Sequence, residues 1–584
     1  MSSHYDKFPK TTVSADSQQV ISGWPAILDA LTNQLQELQK QRVILVVDTY
    51  QGVNHTEAES AFRSLPHTAF FKSTDAFKSV EQCRQMVDPD LTDDPVFGRI
   101  TNLTIKDFFE EEKVSAIQAQ IQAIRTGLVI VYGEGASYVA PQPDLLLYLD
   151  MPRWEIQLRM RQKQVSNLGA DNATEAFSRL YKQSYFIDWR VLDLHKKTLF
   201  TRLNYYLDTV QAEVPKMVSG STYLESLSQL VKQPFRPVPF FDPGPWGGQW
   251  MKEVMGLDSS VVNFAWGFDC VPEENSLLLA FGDISLETPA INLVFLHAQA
   301  LLGEHVHAVF GEEFPIRFDM LDTMDGGNLS LQVHPTREYI HEHFSMPYTQ
   351  DESYYFLDAK PDAFVYLGVK EGIDPDRMIT ALEDAQHSGN PFDADEYVNK
   401  WAVKKHDHAL IPAGTIHCSG KNSMVLEISA TPYIFTFKLW DWGRMGLDGK
   451  PRPIHIEHGR KVIQWERDQN WTAQQLLDQI EILASGEGWK EERTGLHALE
   501  FIETRRHWFT TKVSHHTQGT VHVLNLVEGD QVLVESPTQA FAPFEVHYAE
   551  TFVVPAAVGE YTVRPIGNSS MYATMKAYVR NPIP

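Results

Sequence analysis

Leu329-Ser330-Leu331-Gln332-Val333-His334-Pro335 is a short apolar run carrying two polar side chains into a proline. On a β-strand, residues two apart share a face, so Gln332 and His334 point the same way and can approach one ion together. Further on, Ile411-Pro412-Ala413-Gly414-Thr415-Ile416-His417 sets a Pro-x-Gly turn ahead of a histidine, a tight turn that delivers a side chain into the mouth of a β-barrel. Between them stands Glu352, in Thr349-Gln350-Asp351-Glu352-Ser353-Tyr354-Tyr355, at the head of an apolar strand. Two histidines, one carboxylate and one side-chain amide make a hard-to-borderline donor set with room for water or substrate oxygens, as catalytic zinc sites have. The competing run His341-Glu342-His343 falls in a helical stretch, Thr336 to Phe344, where positions i and i+2 diverge. With 22 histidines in the chain, chance pairs are common, and spacing alone leaves both a metal site and hydrogen-bonded core histidines open.

Outward from this run, residues 236–460 read as short strands separated by turns, among them Leu329–Val333, Tyr354–Leu357, Phe364–Leu367 and Met424–Ile428. A helical stretch near 459–485 precedes a last β-rich region that carries Val521–Val527 and Glu560–Arg564. Regularly spaced strands of this kind suggest sandwiches or barrels. Towards the amino terminus, the Pro- and Gly-rich segment from Gln233 to Gly248 marks a boundary near 235–242. Before it, Arg42–Asp48, Gly127–Tyr132 and Leu145–Asp150 are continuously apolar, as strands buried on both faces of a parallel sheet are. The segments 24–41 and 174–212 read as helices. The expected fold is multidomain, α/β plus mainly β: a three-layer α/β domain over 1–235, a β-barrel domain over 236–460, and a helical connection with a β-rich domain over 461–584.

Composition narrows the function classes. A chain of 584 residues corresponds to three or four domains at roughly 150 residues each. With 50 Lys+Arg against 76 Asp+Glu, the net charge of −26 disfavours nucleic acid and anionic membrane partners, which need a cationic footprint. A phosphorylated ligand would therefore need a local cationic pocket. Three scattered cysteines, Cys83, Cys270 and Cys418, are too few for a disulfide framework, and the start MSSHYDKFPKTTV lacks the layout of a signal peptide, so a cytoplasmic location is expected.

Several ordered motifs of the middle region resemble class I mannose-6-phosphate isomerases, zinc enzymes of the cupin fold that interconvert mannose 6-phosphate and fructose 6-phosphate. They are Trp246-Gly247-Gly248, Phe264-Ala265-Trp266-Gly267, Phe314 to Asp322, Leu329 to Pro335, Pro412 to His417, Leu439 to Arg444 and Gly449 to Glu457. The resemblance covers roughly 240–460, with a weaker β-rich tail read as a second jelly roll. It implies one zinc ion per chain on Gln332, His334, Glu352 and His417, and an aldose–ketose isomerisation through a zinc-stabilised enediol. For the proton and charge handling, Lys438, Arg444 and Glu427 are the candidates, Lys438 first; Arg317 and Arg452 are candidates for substrate binding. The family's arginine before its Asp-Trp pair falls on Lys438, which keeps the charge and loses the bidentate fork. Two family lysines fall on Asp319 and Gln350. Those departures keep two other readings open: an isomerase of another sugar, phosphorylated or not, and a sugar-binding regulator without turnover.

The first 230 residues resemble, loosely, a nucleotide kinase of the P-loop type that has lost its working parts. Leu145–Asp150 followed by Met151–Arg161 is similar to the strand and basic helix of small-molecule kinases, yet the first strand runs into Asp48-Thr49-Tyr50-Gln51-Gly52-Val53-Asn54-His55 with no lysine. Phosphoryl transfer is not expected. Arg159 and Arg161 could meet a phosphate-bearing effector, but a structural role, or a homo-oligomer formed through this region, is the expectation.

Overall fold

The computed structural model describes residues 3–581 except 15, 389, 447, 448, 450, 451 and 496. Lys450 and Pro451 of the late motif therefore lie outside the described residues. The chain forms two compact units, one of Lys10–Leu230 with Ser276–Leu296, the other of Met1–Pro9, Val231–Asn275 and His297–Pro584.

In the first unit, the three apolar runs form a parallel core: Arg42–Thr49 pairs with Gly127–Gly133 on one side and Leu145–Asp150 on the other. Ala69–Lys72 extends one edge and Tyr205–Asp208 the other, both parallel, and the antiparallel strands Lys216–Ser219 and Ile21–Ser22 complete the sheet. Val43, Leu45, Val47, Leu147 and Leu149 bury one face against Ile27 and Leu31 of helix Trp24–Glu37 and Ala58 and Phe62 of helix His55–Arg63. Asn54 caps the latter helix by accepting from the Glu57 N–H. The helical reading of 174–212 holds for Phe177–Gln183 and Trp189–Lys197 but overran the strand Tyr205–Asp208. Tyr206 and Leu207 are fully buried there, and tertiary pairing beside Leu147–Asp150 overrides the local pattern. A separate three-stranded sheet joins Lys10–Thr12 to the hairpin Ser276–Phe281 and Ile284–Pro289, an excursion of the later chain that no sequence feature announces.

At the carboxyl ends of the parallel strands the first unit closes on itself through buried polar groups. Asp48 accepts from the N–H groups of Gly135 (3.1 Å) and Ser137 (2.9 Å) and from the Ser137 hydroxyl (2.6 Å), and meets His195 Nε2 at 2.8 Å. Lys196 lies 3.4 Å from Asp150 and 3.5 Å from Asp193, which also pairs with Arg153.

The second unit holds two pairs of sheets. The first pair comprises a six-stranded sheet ordered His408–Ile411, Glu352–Ala359, Ser423–Ala430, Ile316–Asp322, Trp266–Cys270, Phe240–Asp242, and a five-stranded sheet ordered Val398–Ala402, Phe364–Val369, His417–Ser419, Leu331–Val333, Phe437–Trp440. Gly248 lies where a Cβ would come within 2.0 Å of the Asp322 carboxylate, which accounts for glycine in Trp246-Gly247-Gly248. The second pair, of six and four strands, occupies residues 481–579. Helices Ile456–Val462 and Gln469–Gln475 connect the pairs, but Glu481–Gly486 at the end of the expected helical stretch is a strand, paired with Trp489–Gly495.

Candidate metal centre

Strand register assembles the site. Gln332 stands directly opposite His417 on one neighbouring strand and opposite Lys438 on the other, so the three share the inner face of the five-stranded sheet. His334, two residues on, keeps that face. From the six-stranded sheet, Glu352 pairs with Ser429 and Tyr354 with Glu427, while Arg317 and Asp319 oppose the same two residues from the other side. His417 follows a turn in which Gly414 has φ +89°, and a Cβ there would meet the Val462 carbonyl at 2.9 Å. The opposing histidine pair does not compete: His341 and His343 lie on helix Arg337–Phe344, where His343 stacks on Tyr339.

Glu352 sits between two imidazoles, its Oε2 3.1 Å from His334 Nε2 and its Oε1 2.9 Å from His417 Nε2. The Gln332 amide is 3.2 Å from His417 Nε2, and the Ser330 hydroxyl donates to Gln332 Oε1 at 2.9 Å. All four side chains are buried. His334 Nδ1 is 3.2 Å from the Phe435 carbonyl and His417 Nδ1 is 2.9 Å from the Thr415 carbonyl. A carbonyl accepts only, so each Nδ1 carries the hydrogen and each neutral ring turns the lone pair of Nε2 toward Glu352. Acceptors thus face acceptors, an arrangement that calls for a cation or extra protons between them. Neighbouring ligand atoms around a tetrahedral ion with bonds of about 2.0–2.1 Å stand about 3.3 Å apart, close to the separations found. Among the described residues, His334, Glu352 and His417 are the group of three metal-ligating side chains gathered this closely. The residues present fit a metal ion.

With no ion between them, extra protons on the imidazoles meet the same need. Burial works against the Glu352 charge, but the facing histidines hold its carboxyl well below the usual range. Burial likewise opposes charge on His334, and Glu352 outweighs it and raises the imidazole pKa. Next to this pair, burial and the Glu352 charge push the Glu427 carboxyl up to about 8. Burial raises Asp319 to about 7. Glu427 accepts from the Arg317 guanidinium, from Ser429 Oγ at 3.0 Å and from Gln350 Nε2 at 3.3 Å. Arg317 is buried, with its Nε 3.0 Å from Asp319 and 3.1 Å from Ser429 Oγ. Burial, reinforced by Arg452, lowers the Lys438 ammonium to about 8. Arg444 pairs with Asp441 Oδ1 and Arg452 with Asp441 Oδ2, the latter at 2.7 Å.

The structure thus brings Gln332, His334, Glu352, His417, Lys438 and Glu427 onto facing inner surfaces, engages Arg317 internally, and gathers Arg444 and Arg452 about Asp441. Sequence reasoning missed Tyr354, a fully buried phenol whose ring lies 5.8 Å from that of His417, and it marked Gln350 only as a departure from the family, whereas its amide donates to Glu352 at 2.9 Å. The period of two from Glu352 would have found Tyr354.

A family model described as a domain of unknown function (DUF8485) matches residues 23–232. The chain is 29% identical over 167 residues to mannose-6-phosphate isomerase ManA of Bacillus subtilis (strain 168), a stretch that is 28% of this chain and 50% of that protein. To the mannose-6-phosphate isomerase of Streptococcus mutans it is 27% identical over 248 residues, 41% of this chain and 72% of the relative. The chain therefore spans only about half of the first of these relatives. Among solved structures, the mannose 6-phosphate isomerase of Bacillus subtilis aligns with a TM-score of 0.49 at 17% identity, covering 59% of this chain and 99% of its own. A mannose 6-phosphate isomerase described as holo and zinc-bound aligns with a TM-score of 0.46 at 15% identity, over 59% and 99%. The motifs of the middle region agree with the curated relatives: over part of its length, this chain is similar in sequence to mannose-6-phosphate isomerases.

Proposed function

We propose that this chain is a metal-dependent aldose–ketose isomerase that interconverts mannose 6-phosphate and fructose 6-phosphate in a cupin-type barrel. One observation carries the reading: two buried imidazoles present Nε2 lone pairs to a buried carboxylate, with Gln332 alongside and Lys438 across from it. Gln332, His334, Glu352 and His417 would hold one zinc ion, which when bound supplies Lewis acidity toward a sugar oxygen.

The chain's own residues supply the rest. Isomerisation moves a proton between C2 and C1, and negative charge develops on the oxygens at those carbons. Lys438, on the face shared with Gln332, is positioned to stabilise that charge. Glu427, with a pKa pushed up to about 8, holds a proton near neutral pH and can exchange it beside the centre. Arg317 orients Glu427 in this reading, acting on substrate through it. Lys438, Arg444 and Arg452 around the single carboxylate of Asp441 leave a local positive excess suited to a phosphate in a molecule of net charge −26. Three buried free thiols go with a reducing, cytoplasmic setting. Residues 1–235 are read as a structural or oligomerising part.

Asp319 and Gln350 favour a second reading. Where the family has lysines, these two are spent on Arg317 and Glu352, which suits an unphosphorylated sugar. A coupled assay over free and phosphorylated aldoses and ketoses, with and without chelator, separates the readings. Chelator-sensitive turnover of mannose 6-phosphate is expected. Turnover of a free sugar alone would install the second reading, and absence of C2 proton exchange with every sugar would leave a binding protein.

A further inference from the structure

The turn that delivers His417 is tied through its backbone to both histidines of the candidate metal centre and to the residue beside its carboxylate. The Gly414 N–H donates to the His334 carbonyl at 2.9 Å. The Ala413 N–H donates to Asp351 Oδ1 at 2.8 Å, on the residue next to Glu352. The Thr415 carbonyl, 2.9 Å from His417 Nδ1, accepts its hydrogen and so fixes which ring nitrogen faces Glu352. The four residues 412–415 thus bear on where three ligand side chains stand and on which atoms they present.

One side chain from outside the sheets holds that turn. Arg467 lies in the connection between helices Ile456–Val462 and Gln469–Gln475 and is only 6% exposed. Its Nη1 donates to the carbonyls of Pro412 and Ala413, both at 2.8 Å, and to the Thr415 hydroxyl. That hydroxyl donates in turn to the Pro412 carbonyl at 2.7 Å, so its hydrogen is committed and its lone pair is what Arg467 meets. Two neighbouring carbonyls and a hydroxyl lone pair converging on one point repel one another, and the guanidinium turns that repulsion into charge-assisted hydrogen bonds. The whole turn is buried, which leaves these acceptors little water as an alternative. The clamp is fixed at its own end by contacts that do not involve the ligands: the Arg467 carbonyl accepts from the Val369 N–H at 3.0 Å, and the guanidinium lies 5.2 Å from the centre of the Trp471 ring.

We propose that Arg467 is a positioning residue of the metal centre: by holding turn 412–415 it orients His417, His334 and Glu352 toward one ion, without itself meeting metal or substrate. This rests on the metal-dependent reading and adds a residue outside the ligand set. A merely architectural arginine would cost stability and leave the metal affinity of the folded chain alone. Arg506 supplies that contrast within the same unit, because it is also buried but holds Glu492, at 2.8 Å from Nε, and the His406 carbonyl, at 2.8 Å from Nη1.

The test strips the full-length chain of metal and titrates it with Co²⁺ against a competing chelator, reading affinity and the visible absorption of bound Co²⁺, with the melting temperature alongside. Arg467→Met should bind Co²⁺ about ten- to a hundredfold more weakly than wild type, with a changed spectrum, as follows when a partner that orients metal ligands is removed. Arg467→Lys should restore part of the affinity, since it keeps the charge and loses the planar fork. Arg506→Met should lower the melting temperature and leave Co²⁺ affinity and spectrum as in wild type. Thr415→Val keeps the arginine and removes one of its three acceptors; it should weaken binding by a smaller factor, and it decides the matter if Arg467→Met does not fold. Wild-type affinity and spectrum in Arg467→Met, or in Thr415→Val where that variant alone folds, would overturn the inference. A loss of affinity in Arg506→Met as large as in Arg467→Met would do the same, by making the effect one of general stability. None of these readouts depends on which sugar is turned over, whereas a wild-type chain that binds no Co²⁺ would bring down the metal reading itself and this inference with it.

Discussion

Asp48 and Glu352 are buried carboxylates that each face histidine nitrogen at hydrogen-bonding distance, and their surroundings differ in one respect. Asp48, near the carboxyl end of a central strand of the parallel sheet, receives two backbone N–H groups and a hydroxyl besides His195, so its oxygens meet donors. Glu352, on the inner face of the six-stranded sheet, receives the Gln350 amide and otherwise faces two imidazoles whose hydrogens are committed to the carbonyls of Phe435 and Thr415. The first arrangement is complete as a protein structure. The second is complete only with a cation or added protons. A His–carboxylate pair therefore says little by itself; the other nitrogen of the ring decides whether it is architecture or a centre awaiting a ligand.

Substitution of His417 by Ala breaks the Glu352 side of this comparison and carries the largest expected effect. One of the donor set is lost, so bound metal measured by elemental analysis should fall from one per chain to none, and turnover should vanish with it. Turnover in a demonstrably metal-free variant would sink the assignment. Asp48→Ala tests the other side. It leaves His195 and the N–H groups of Gly135 and Ser137 buried without their acceptor, and removing one partner of a buried pair costs about 3–5 kcal/mol. Denaturant unfolding should show that loss, with metal content and turnover of the folded fraction unchanged. A fall in bound metal would mean that Asp48 serves the centre after all.

How legible these features were depends on whether they are written in one strand or between strands. Gln332 and His334 share a strand, and the period of two shows their common face without any tertiary knowledge. The parallel core could be read because Arg42–Asp48, Gly127–Tyr132 and Leu145–Asp150 are apolar on both faces, a pattern half-buried strands lack. Residues 205–208 read as helix from sequence because four residues are too few to establish a period against a long amphipathic neighbour. The Arg317–Glu427–Gln350 network could not be read at all, because it depends on which strands neighbour one another: Arg317, Glu427 and Glu352 come from three strands joined only by sheet order. The same holds for Asp48 and His195, separated by 147 positions.

Lys438 sharpens the comparison from the cationic side, with the smallest of the three effects. In the parallel-sheet unit, Lys196 is matched by Asp150 and Asp193. The strongest charged neighbour of Lys438 is a like charge, Arg452, which together with burial brings the ammonium pKa down to about 8. Such a lysine is poised to lose its proton just above neutrality. If it stabilises developing negative charge, kcat should fall as pH rises through about 8, and Lys438→Met should lower kcat by about a hundred- to a thousandfold at neutral pH. Lys438→Arg should retain part of the activity and move the alkaline limb upward, since the guanidinium keeps its proton there. Stability runs the opposite way. Between pH 8 and the unfolded lysine value near 10.4, the unfolded chain binds more protons at this position than the folded one, so the Lys438 contribution to folding stability increases with pH while activity declines. Parallel pH profiles of turnover and unfolding should therefore diverge in the wild type and lose that divergence in Lys438→Met; a rate that instead climbs through pH 8 would make Lys438 a base and remove it from the charge-stabilising role.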